Sequence, residues 1–338
     1  MDISVIIPIY GVEKYIEQSL LSIFQQTKTE GVEFILINDC TPDKSMDIAY
    51  SLIERFDKLN IKVINCETNG GQSIARQKGM DAATGEYSIH FDPDDICDAS
   101  MLEDMYNKAK EVDADVIICD HFITFPNREI YKQAKIAYNI HDYLTMMFST
   151  GNTPCSLVIQ MFKRSLYVNH NIRFVQNINM CEDLLICLKL YNHVKIVASI
   201  NKAYYHYVQR QNSISNSIQW DKQFYEKNNL MKEIEQFLIS NNIEERYKNE
   251  FMSYKLRHKY RFLLHSKRSE KLKYIALFPE TTKYISKDTH LSRIQKFLLS
   301  QACKGNLVPI NFYYRSKQLA KKLIKSVLRC KRWDKFED

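Results

Sequence analysis

Hydrophobic and polar positions in the first 120 residues alternate between two periods. Short apolar runs recur as ISVIIPI at 3–9, EFILIN at 33–38, IKVINC at 61–66, EYSIHF at 86–91 and DVIIC at 115–119. Such runs are typical of strands that are buried on both faces. Between them, apolar residues follow helical spacing, as at Ile16, Leu20 and Ile23. This alternation predicts a doubly wound, mostly parallel α/β sheet that resembles a Rossmann fold.

The pattern changes in the second half of the chain. Six of the eight glycines precede residue 86, and only Gly305 follows Ser156. The sequence GNTPC at 151–155 predicts a loop or linker, and from about Gln219 the pattern is long, charged and helical. We therefore divide the chain into residues 1–120, 121–218 and 219–338, the last a helical C-terminal extension.

Composition places the chain among globular proteins with a substantial core. It has 338 residues, 45% of them apolar and 26% charged, and no apolar run approaches the length of a membrane span. The opening DISVIIPIY has neither the basic region nor the cleavage site of a secretory signal. Nine cysteines without CxxC spacing argue against a disulfide framework or a zinc site. We expect a reducing, cytoplasmic location.

Three polar clusters follow predicted strands. They are PIYGVEKY after the first strand, NDCTPD after the second and FDPDD after a later one. Ligands of open parallel sheets bind outside the carboxyl ends of the strands. We expect the three clusters to meet at one edge of the sheet.

The last cluster concentrates negative charge. Asp92, Asp94 and Asp95 lie within four positions. A divalent cation, Mn²⁺ or Mg²⁺, held by carboxylates and a substrate diphosphate would make this arrangement favourable. The alternatives are a solvated turn or an aspartate that caps a helix near residue 99.

The stretch ETNGGQSIARQKGMDAATGEY places two glycines before a predicted helix. Gly71 suits a close approach of the backbone to a ligand, and Arg76 suits a phosphate or a carboxylate of the acidic cluster. The glycine spacing is not GxGxxG, and no Walker A lysine is present. Both observations argue against dehydrogenase and P-loop functions.

Taken together, these motifs resemble the family-2 glycosyltransferases with a GT-A fold. The resemblance rests on SVIIPIYGVEKYIEQSLLSIFQQT, EFILINDCTPDKS, NGGQSIARQKGMDAATGEY and FDPDD, and covers residues 2–120, with 150–216 more loosely similar. It implies that residues 1–120 bind a nucleotide-sugar and residues 121–218 an acceptor. It also implies an inverting transfer of the sugar to an acceptor hydroxyl with Mn²⁺ or Mg²⁺.

The resemblance also assigns site residues. Asp39 would bind the base, typically uracil, with Asp94 near the ribose and Asp95 on the metal. The nucleotide-sugar set it implies is Pro8, Tyr10, Glu13, Asp39, Gly71, Arg76, Asp92 and Asp94. The implied metal set is Asp94, Asp95 and His206. A histidine among tyrosines, as in KAYYHYV, is also typical of a packed side chain.

An inverting transfer needs a carboxylate base opposite the leaving group. NMCEDLLICLKLY offers Glu182 and Asp183, which point about 100° apart on a helix, so we expect one of them to face the site. The resemblance selects Asp183 as the base. The alternative is that both acids stabilise a helix N-terminus.

Basic residues outside the first 120 complete the candidate site. Arg164 and Arg210 are predicted to contact the diphosphate or the acceptor, with Lys163 as a further candidate. Lys163 and Arg164 also suit ordinary surface positions.

The C-terminal tail is strongly basic. Arg315 to Lys335 contains nine Lys or Arg and one acid, and apolar residues follow a helical stripe at Ala320, Leu323, Ile324, Val327 and Leu328. This suits an interfacial helix on an anionic membrane surface or a helix packed on its own domain. The resemblance to enzymes with lipid-linked acceptors favours the inner face of the cytoplasmic membrane. No nucleic-acid-binding module accompanies the charge, so we expect no nucleic-acid partner.

The expected function is therefore transfer of a hexose or N-acetylhexosamine from a UDP-sugar to a glycan or lipid-linked acceptor. A sugar nucleotidyltransferase is the first rival. It would carry a glycine-rich basic loop after the first strand, where PIYGVEKY has one glycine and one lysine. A non-catalytic nucleotide-sugar-binding scaffold is the second, and the intact acidic motifs argue against it.

Overall fold

The computed structural model describes residues 1–149, 153–209, 220–265 and 271–333. The chain divides into two compact units, Met1–Phe237 and Leu238–Asp338. The boundaries expected at residues 120 and 218 are not those of the compact units, and as limits of functional segments they stay predictions. The expected loop at 151–155 lies partly outside the described residues.

The first unit alternates strands and helices. Its strands are β1 (Ile3–Ile9), β2 (Val32–Asn38), β3 (Asn60–Asn65), β4 (Tyr87–His90), β5 (Ile96–Cys97), β6 (Val116–Phe125), β7 (Arg128–Lys132), β8 (Gln160–Lys163) and β9 (Val197–Val208). Its helices are α1 (Ile16–Phe24), α2 (Ser45–Arg55), α3 (Gln72–Ala82), α4 (Met101–Val112), α5 (Ile140–Ser149), α6 (Arg164–Asn169), α7 (Glu182–Tyr191) and α8 (Trp220–Ser240). The five strands predicted before residue 120 are all present.

All nine strands of the described residues join one sheet in the order β3-β2-β1-β4-β8-β6-β9-β5, with β7 paired to β6. The pairs among β1, β2, β3 and β4 are parallel, as is β6 with β9, whereas β8 runs antiparallel to β4 and β6. The predicted mostly parallel α/β fold is confirmed. Between β1 and β4 the strand order reverses, and open sheets bind ligands at such a point.

Close packing of α3 on the sheet positions the Arg76 region. A Cβ atom at Gly79 would lie 2.5 Å from Ile6 Cγ2 and 2.9 Å from Ile37 Cδ1. Only glycine permits this approach of the helix backbone to β1 and β2. The opposite face of these strands packs in a continuous apolar core that includes Val5, Leu20 and Leu102.

The second unit is helical, as the sequence predicted for this region. After the last residues of α8, it contains α9 (Glu244–His265), the shorter α10 (Lys271–Ile275) and a 3₁₀ segment at Pro279–Tyr284. It ends with α11 (Arg293–Cys303) and α12 (Val308–Trp333). Within the described ranges, none of the helices is both long enough and apolar enough to cross a membrane.

Candidate functional site

The segments that follow β1 and β2 are joined by hydrogen bonds. Gly11 N–H donates to Thr41 Oγ1 at 2.9 Å, and Glu13 N–H donates to Asp43 Oδ2 at 3.0 Å. Pro8 is buried within β1, whereas Tyr10 and Glu13 are exposed just beyond it. The sheet thus brings the first two predicted polar clusters to one edge.

Asp39 is buried directly after β2 and fixes the glycine loop. Its carboxylate accepts hydrogen bonds from the amides of Gly70 and Gly71, at 2.9 and 2.8 Å. Its own amide donates to the carbonyl of Ile9 at the end of β1, 3.0 Å away. Asp39 therefore connects the ends of β1 and β2 to the loop that begins α3.

The start of α3 is also bonded to the loop that precedes α7. Gly71 has φ 82° and ψ 170°, a conformation that favours glycine, and a Cβ there would lie 2.6 Å from Asn179 Oδ1. The same Asn179 oxygen accepts from the amide of Ser73 at 3.1 Å, and Ser73 Oγ donates to the carbonyl of Ile178. These contacts fix the position of α7 relative to α3.

Arg76 is the central cation of the site. Its side chain is 3% exposed, and its guanidinium donates to Asp92 Oδ1 at 2.9 Å and to Glu182 Oε1 at 2.8 Å. Asp92 follows β4 and Glu182 begins α7, so one side chain joins two acidic motifs. Charge-assisted pairs of this kind are strong where water is excluded.

The acidic pair at the start of α7 shares this environment. Glu182 is buried and Asp183 is half-buried. Burial raises the pKa of Asp183, while Arg76 and a 2.8 Å hydrogen bond from the Leu184 amide oppose that rise. Burial likewise raises the pKa of Glu182 against the guanidinium of Arg76. A half-buried carboxylate with a raised pKa is a suitable general base.

The aspartates that follow β4 make different contacts. Asp92 pairs with Arg76, whereas Asp95 is buried and accepts from Tyr205 Oη at 2.7 Å and from the Val208 amide at 2.8 Å. Burial raises the pKa of Asp95 to about 8, and the charges of Asp94 and Asp92 add to the rise. The helix-cap alternative is not observed, because α4 has Ser100 at its N-cap and no side-chain cap hydrogen bond.

The carboxylates at this edge fit a divalent cation that binds together with the diphosphate of a substrate. No three His, Cys, Asp or Glu side chains of the described ranges converge as a complete cage. Mg²⁺ is commonly held by one or two carboxylates together with substrate phosphates. Asp94 and Asp95 are the candidate carboxylates here. Burial raises the pKa of Asp95, the negative charges of Asp94 and Asp92 add to the rise, and a cation would offset these charges.

His206 lies on β9, where its ring contacts protein side chains other than Asp94 and Asp95. Its Nδ1 is 2.8 Å from Glu129 Oε1 and its Nε2 is 3.2 Å from Asp98 Oδ1. Its ring stacks on Phe122 with the centroids 5.0 Å apart. Both ring nitrogens thus face carboxylates of the fold, so metal ligation by His206 would require a rearrangement of these contacts.

Arg164 and Lys163 do not lie at this edge. Because β8 is antiparallel to β4, its end pairs with the beginning of β4, where Lys163 is opposite Tyr87. Arg164 Nε donates to the carbonyl of Gly85 at 2.8 Å, and Lys163 pairs with Asp113 at 2.7 Å. The prediction that Arg164 contacts the diphosphate or acceptor is therefore corrected. Arg210 lies outside the described residues.

Three contributors were not anticipated from the sequence. Asn179 orders the start of α3, and its own amide donates to Glu226 Oε2 at 3.2 Å. Lys227 Nζ lies 2.6 Å from Cys181 Sγ, directly before the acidic pair. Tyr205 holds Asp95. The sequence gives no periodic or spacing signal for these contacts, because each joins segments at least 46 residues apart.

Comparison with known proteins gives a family match over much of this unit. Residues 4–170 match the family model described as Glycosyl transferase family 2. An uncharacterized glycosyltransferase of Bacillus subtilis, EpsJ, is 28% identical over 221 residues, which cover 63% of this chain and 62% of EpsJ. The cholesterol galactosyltransferase of Borreliella burgdorferi is 27% identical over 229 residues, 64% of this chain and 62% of that protein. The chain thus spans about three fifths of the length of these curated relatives.

Solved structures share the fold. The crystal structure of Staphylococcus aureus TarS 1-349 in complex with UDP-GlcNAc superposes with a TM-score of 0.68 at 22% identity, covering 95% of this chain and 92% of that one. The curated TarS protein, a poly(ribitol-phosphate) beta-N-acetylglucosaminyltransferase, is 28% identical over 259 residues, 75% of this chain and 43% of TarS. At this identity the structural match establishes the fold.

Proposed function

Because this chain belongs to glycosyl transferase family 2, we propose that it is an inverting glycosyltransferase. It transfers a hexose or N-acetylhexosamine from a UDP-sugar to a hydroxyl of a surface glycan or a lipid-linked oligosaccharide. The observation that carries the proposal is the link through Arg76 between Asp92 and Glu182, which directly precedes Asp183. This link supports the proposal that the acidic motif after β4 and the candidate base belong to one site.

The donor pocket is formed by the ends of the first strands. Tyr10 and Glu13 beyond β1, Asp39 after β2 and the loop at Gly71 surround the nucleotide together with Asp92, and Asp94 lies near the ribose. The Gly70 and Gly71 amides already bond Asp39, which keeps this part of the pocket ordered before a ligand binds. The TarS structures with UDP and with UDP-GlcNAc, which share this fold, support a uridine donor.

Asp94 and Asp95 would hold Mn²⁺ or Mg²⁺ together with the donor diphosphate. When bound, the cation offsets the negative charge that develops on the departing nucleoside diphosphate. Tyr205 and the Val208 amide hold the Asp95 carboxylate in one orientation. This fixed geometry lowers the reorganisation that the site needs during the reaction.

Asp183 acts as the base. It takes the proton of the acceptor hydroxyl as that oxygen attacks the anomeric carbon from the face opposite the leaving group. The new C–O bond forms while the bond to the diphosphate breaks, so the configuration inverts. The raised pKa of Asp183 brings the carboxylate closer to the acceptor in proton affinity, while Glu182 on Arg76 holds the start of α7 in place.

A thermal-shift screen tests donor class and metal dependence together. The protein is heated with UDP-, GDP- and CDP-sugars, each with Mn²⁺ and with a chelator. We expect a rise of several degrees with one UDP-sugar and Mn²⁺, and a smaller rise with chelator, because a ligand that binds more tightly stabilises the folded state more at the same concentration.

Two arginine variants complete the screen. Arg76→Gln changes the site, whereas Arg164→Gln changes the opposite edge of the sheet. The shift should be lost in the first and kept in the second. A protein that no nucleotide-sugar stabilises under any of these conditions contradicts the proposal.

A further inference from the structure

The two last helices form a segment of one charge sign. Residues 293–333 contain eleven Lys or Arg and no Asp or Glu. The whole chain has a net charge of +7, so the remaining residues carry a net charge of 7 − 11 = −4. Positive charge is therefore concentrated on α11, α12 and the turn between them.

The first of these helices leaves apolar side chains in water. Ile294 and Phe297 of α11 are 58% and 55% exposed, although Leu298 and Leu299 of the same helix are buried. Positions three apart lie on one side of a helix. The helix thus buries part of its apolar surface in the core of its unit and leaves the rest in solvent.

The second helix shows the same arrangement more strongly. Val308 and Phe312 of α12 are 73% and 74% exposed, and Leu319 is 62% exposed. Their spacings of four and seven residues place all three on one side, and Arg315 falls on that side between them. Ile310 is the buried residue that anchors the start of the helix.

We propose that the exposed side chains of α11 and α12 form a docking surface for a membrane rich in anionic lipids. Phe312, Val308 and Ile294 enter the boundary between headgroups and acyl chains, and exposed basic side chains such as Arg293, Arg315 and Lys317 bind the headgroups. Amphipathic helices with aromatic and aliphatic side chains among basic residues bind membranes in this way, by apolar burial and charge together.

Other occupants fit less well. A second copy of the chain would bring two segments of eleven positive charges together, which is unfavourable. A nucleic acid would satisfy the charges but leave Phe312 and Val308 in water, since its outer surface is phosphate. The inference does not depend on the proposed sugar transfer, because none of its residues belongs to the candidate active site.

Vesicle flotation with the full chain tests the proposal. The protein is mixed with phosphatidylcholine vesicles and with vesicles in which about a third of the lipid is phosphatidylglycerol. We expect flotation with the anionic vesicles only, and release at high salt because screening weakens attraction between charges. Failure to float with anionic vesicles at low salt overturns the proposal.

Matched valines supply the control variants. Val308→Glu with Phe312→Glu places two acids on the docking surface, and we expect at least about tenfold weaker vesicle binding. Val168→Glu makes the same kind of change at a 60% exposed valine of α6 and should bind as the wild type does. Equal binding of the double variant and the wild type contradicts the proposal.

Self-association is measured on the same samples. A wild type that is dimeric by light scattering, with the double variant monomeric, would show that the occupant is a second copy and would overturn the membrane assignment. Nucleotide-sugar stabilisation, recorded in parallel, reports on the active site separately. Loss of vesicle binding with that stabilisation intact therefore concerns the docking surface alone.

Discussion

Arg76 on α3 and Glu182 at the start of α7 are ion-paired at 2.8 Å, although 106 residues separate them in the chain. The pair is buried, and the same guanidinium reaches Asp92 after β4. Arg76 thereby couples the geometry of the proposed donor-binding edge to the position of the candidate base.

Replacing Arg76 should destabilise the protein strongly. Arg76→Gln leaves the buried Glu182 without its cation, and removing one partner of a buried pair costs about 3–5 kcal/mol. Arg173→Gln is the control, since Arg173 pairs with Asp81 at 2.8 Å on the surface and such pairs contribute about 1 kcal/mol or less. Urea unfolding measures both variants. Equal losses in the free energy of unfolding would mean that the buried pair contributes no more to stability than the surface pair.

Gly71→Ala should disturb both stability and the site. Gly71 has φ 82°, and a Cβ would push the Asn179 amide from its hydrogen bond with Ser73. The strained backbone alone costs about 1–3 kcal/mol. Gly305→Ala is the matched control, because Gly305 also has a positive φ of 86° but nothing lies within 4 Å of its Cβ position. A larger loss for Gly305→Ala than for Gly71→Ala would contradict this interpretation.

Asp39→Ala should weaken nucleotide binding. It releases the amides of Gly70 and Gly71, and each lost hydrogen bond is worth about 0.5–1.5 kcal/mol, so we expect the Kd for UDP to rise about tenfold. Asp39→Asn retains one acceptor oxygen, so its Kd for UDP should lie between those of the wild type and Asp39→Ala. Isothermal titration calorimetry gives the affinities. Unchanged UDP affinity in Asp39→Ala would exclude the glycine loop from the donor pocket.

His90 should make the protein less stable in weak acid. It is buried on β4 against Phe174, neither ring nitrogen has a hydrogen-bond partner among the described residues, and burial lowers its pKa well below the usual value, with Arg76 adding to the effect. The folded state therefore holds His90 neutral, while the unfolded chain binds a proton below about pH 6.5. Its stabilising contribution is complete above that pH and falls by about 1.4 kcal/mol per unit as the pH decreases.

His90→Leu tests this dependence. Leucine cannot bind the proton, so the variant should lose less stability than the wild type between pH 6.5 and 5. Urea unfolding at three pH values gives the two slopes. Parallel slopes for both proteins would show that His90 titrates normally in the folded state.

Most of the fold of residues 1–120 was predictable from the sequence, and the reasons are local. The period of apolar residues identified β1 to β4, and the rule that parallel strands end at one edge brought Asp39 and Asp92 toward one site. Arg164 was misplaced because the sequence does not show that β8 runs antiparallel to β4. The role of Asn179 depends on contacts with residues 106 positions away, which no periodic pattern records.

The measurement that tests the account most directly is turnover of Asp183→Asn with its donor affinity recorded beside it. Asparagine keeps the shape and the oxygen that accepts from the Leu184 amide, but it does not take the acceptor proton. We predict that kcat falls by about 10²–10⁴, the usual contribution of a general base, while the calorimetric Kd for the UDP-sugar stays within about twofold of the wild type. Turnover near the wild-type rate, with the donor bound normally, would contradict the assignment of Asp183 as the base.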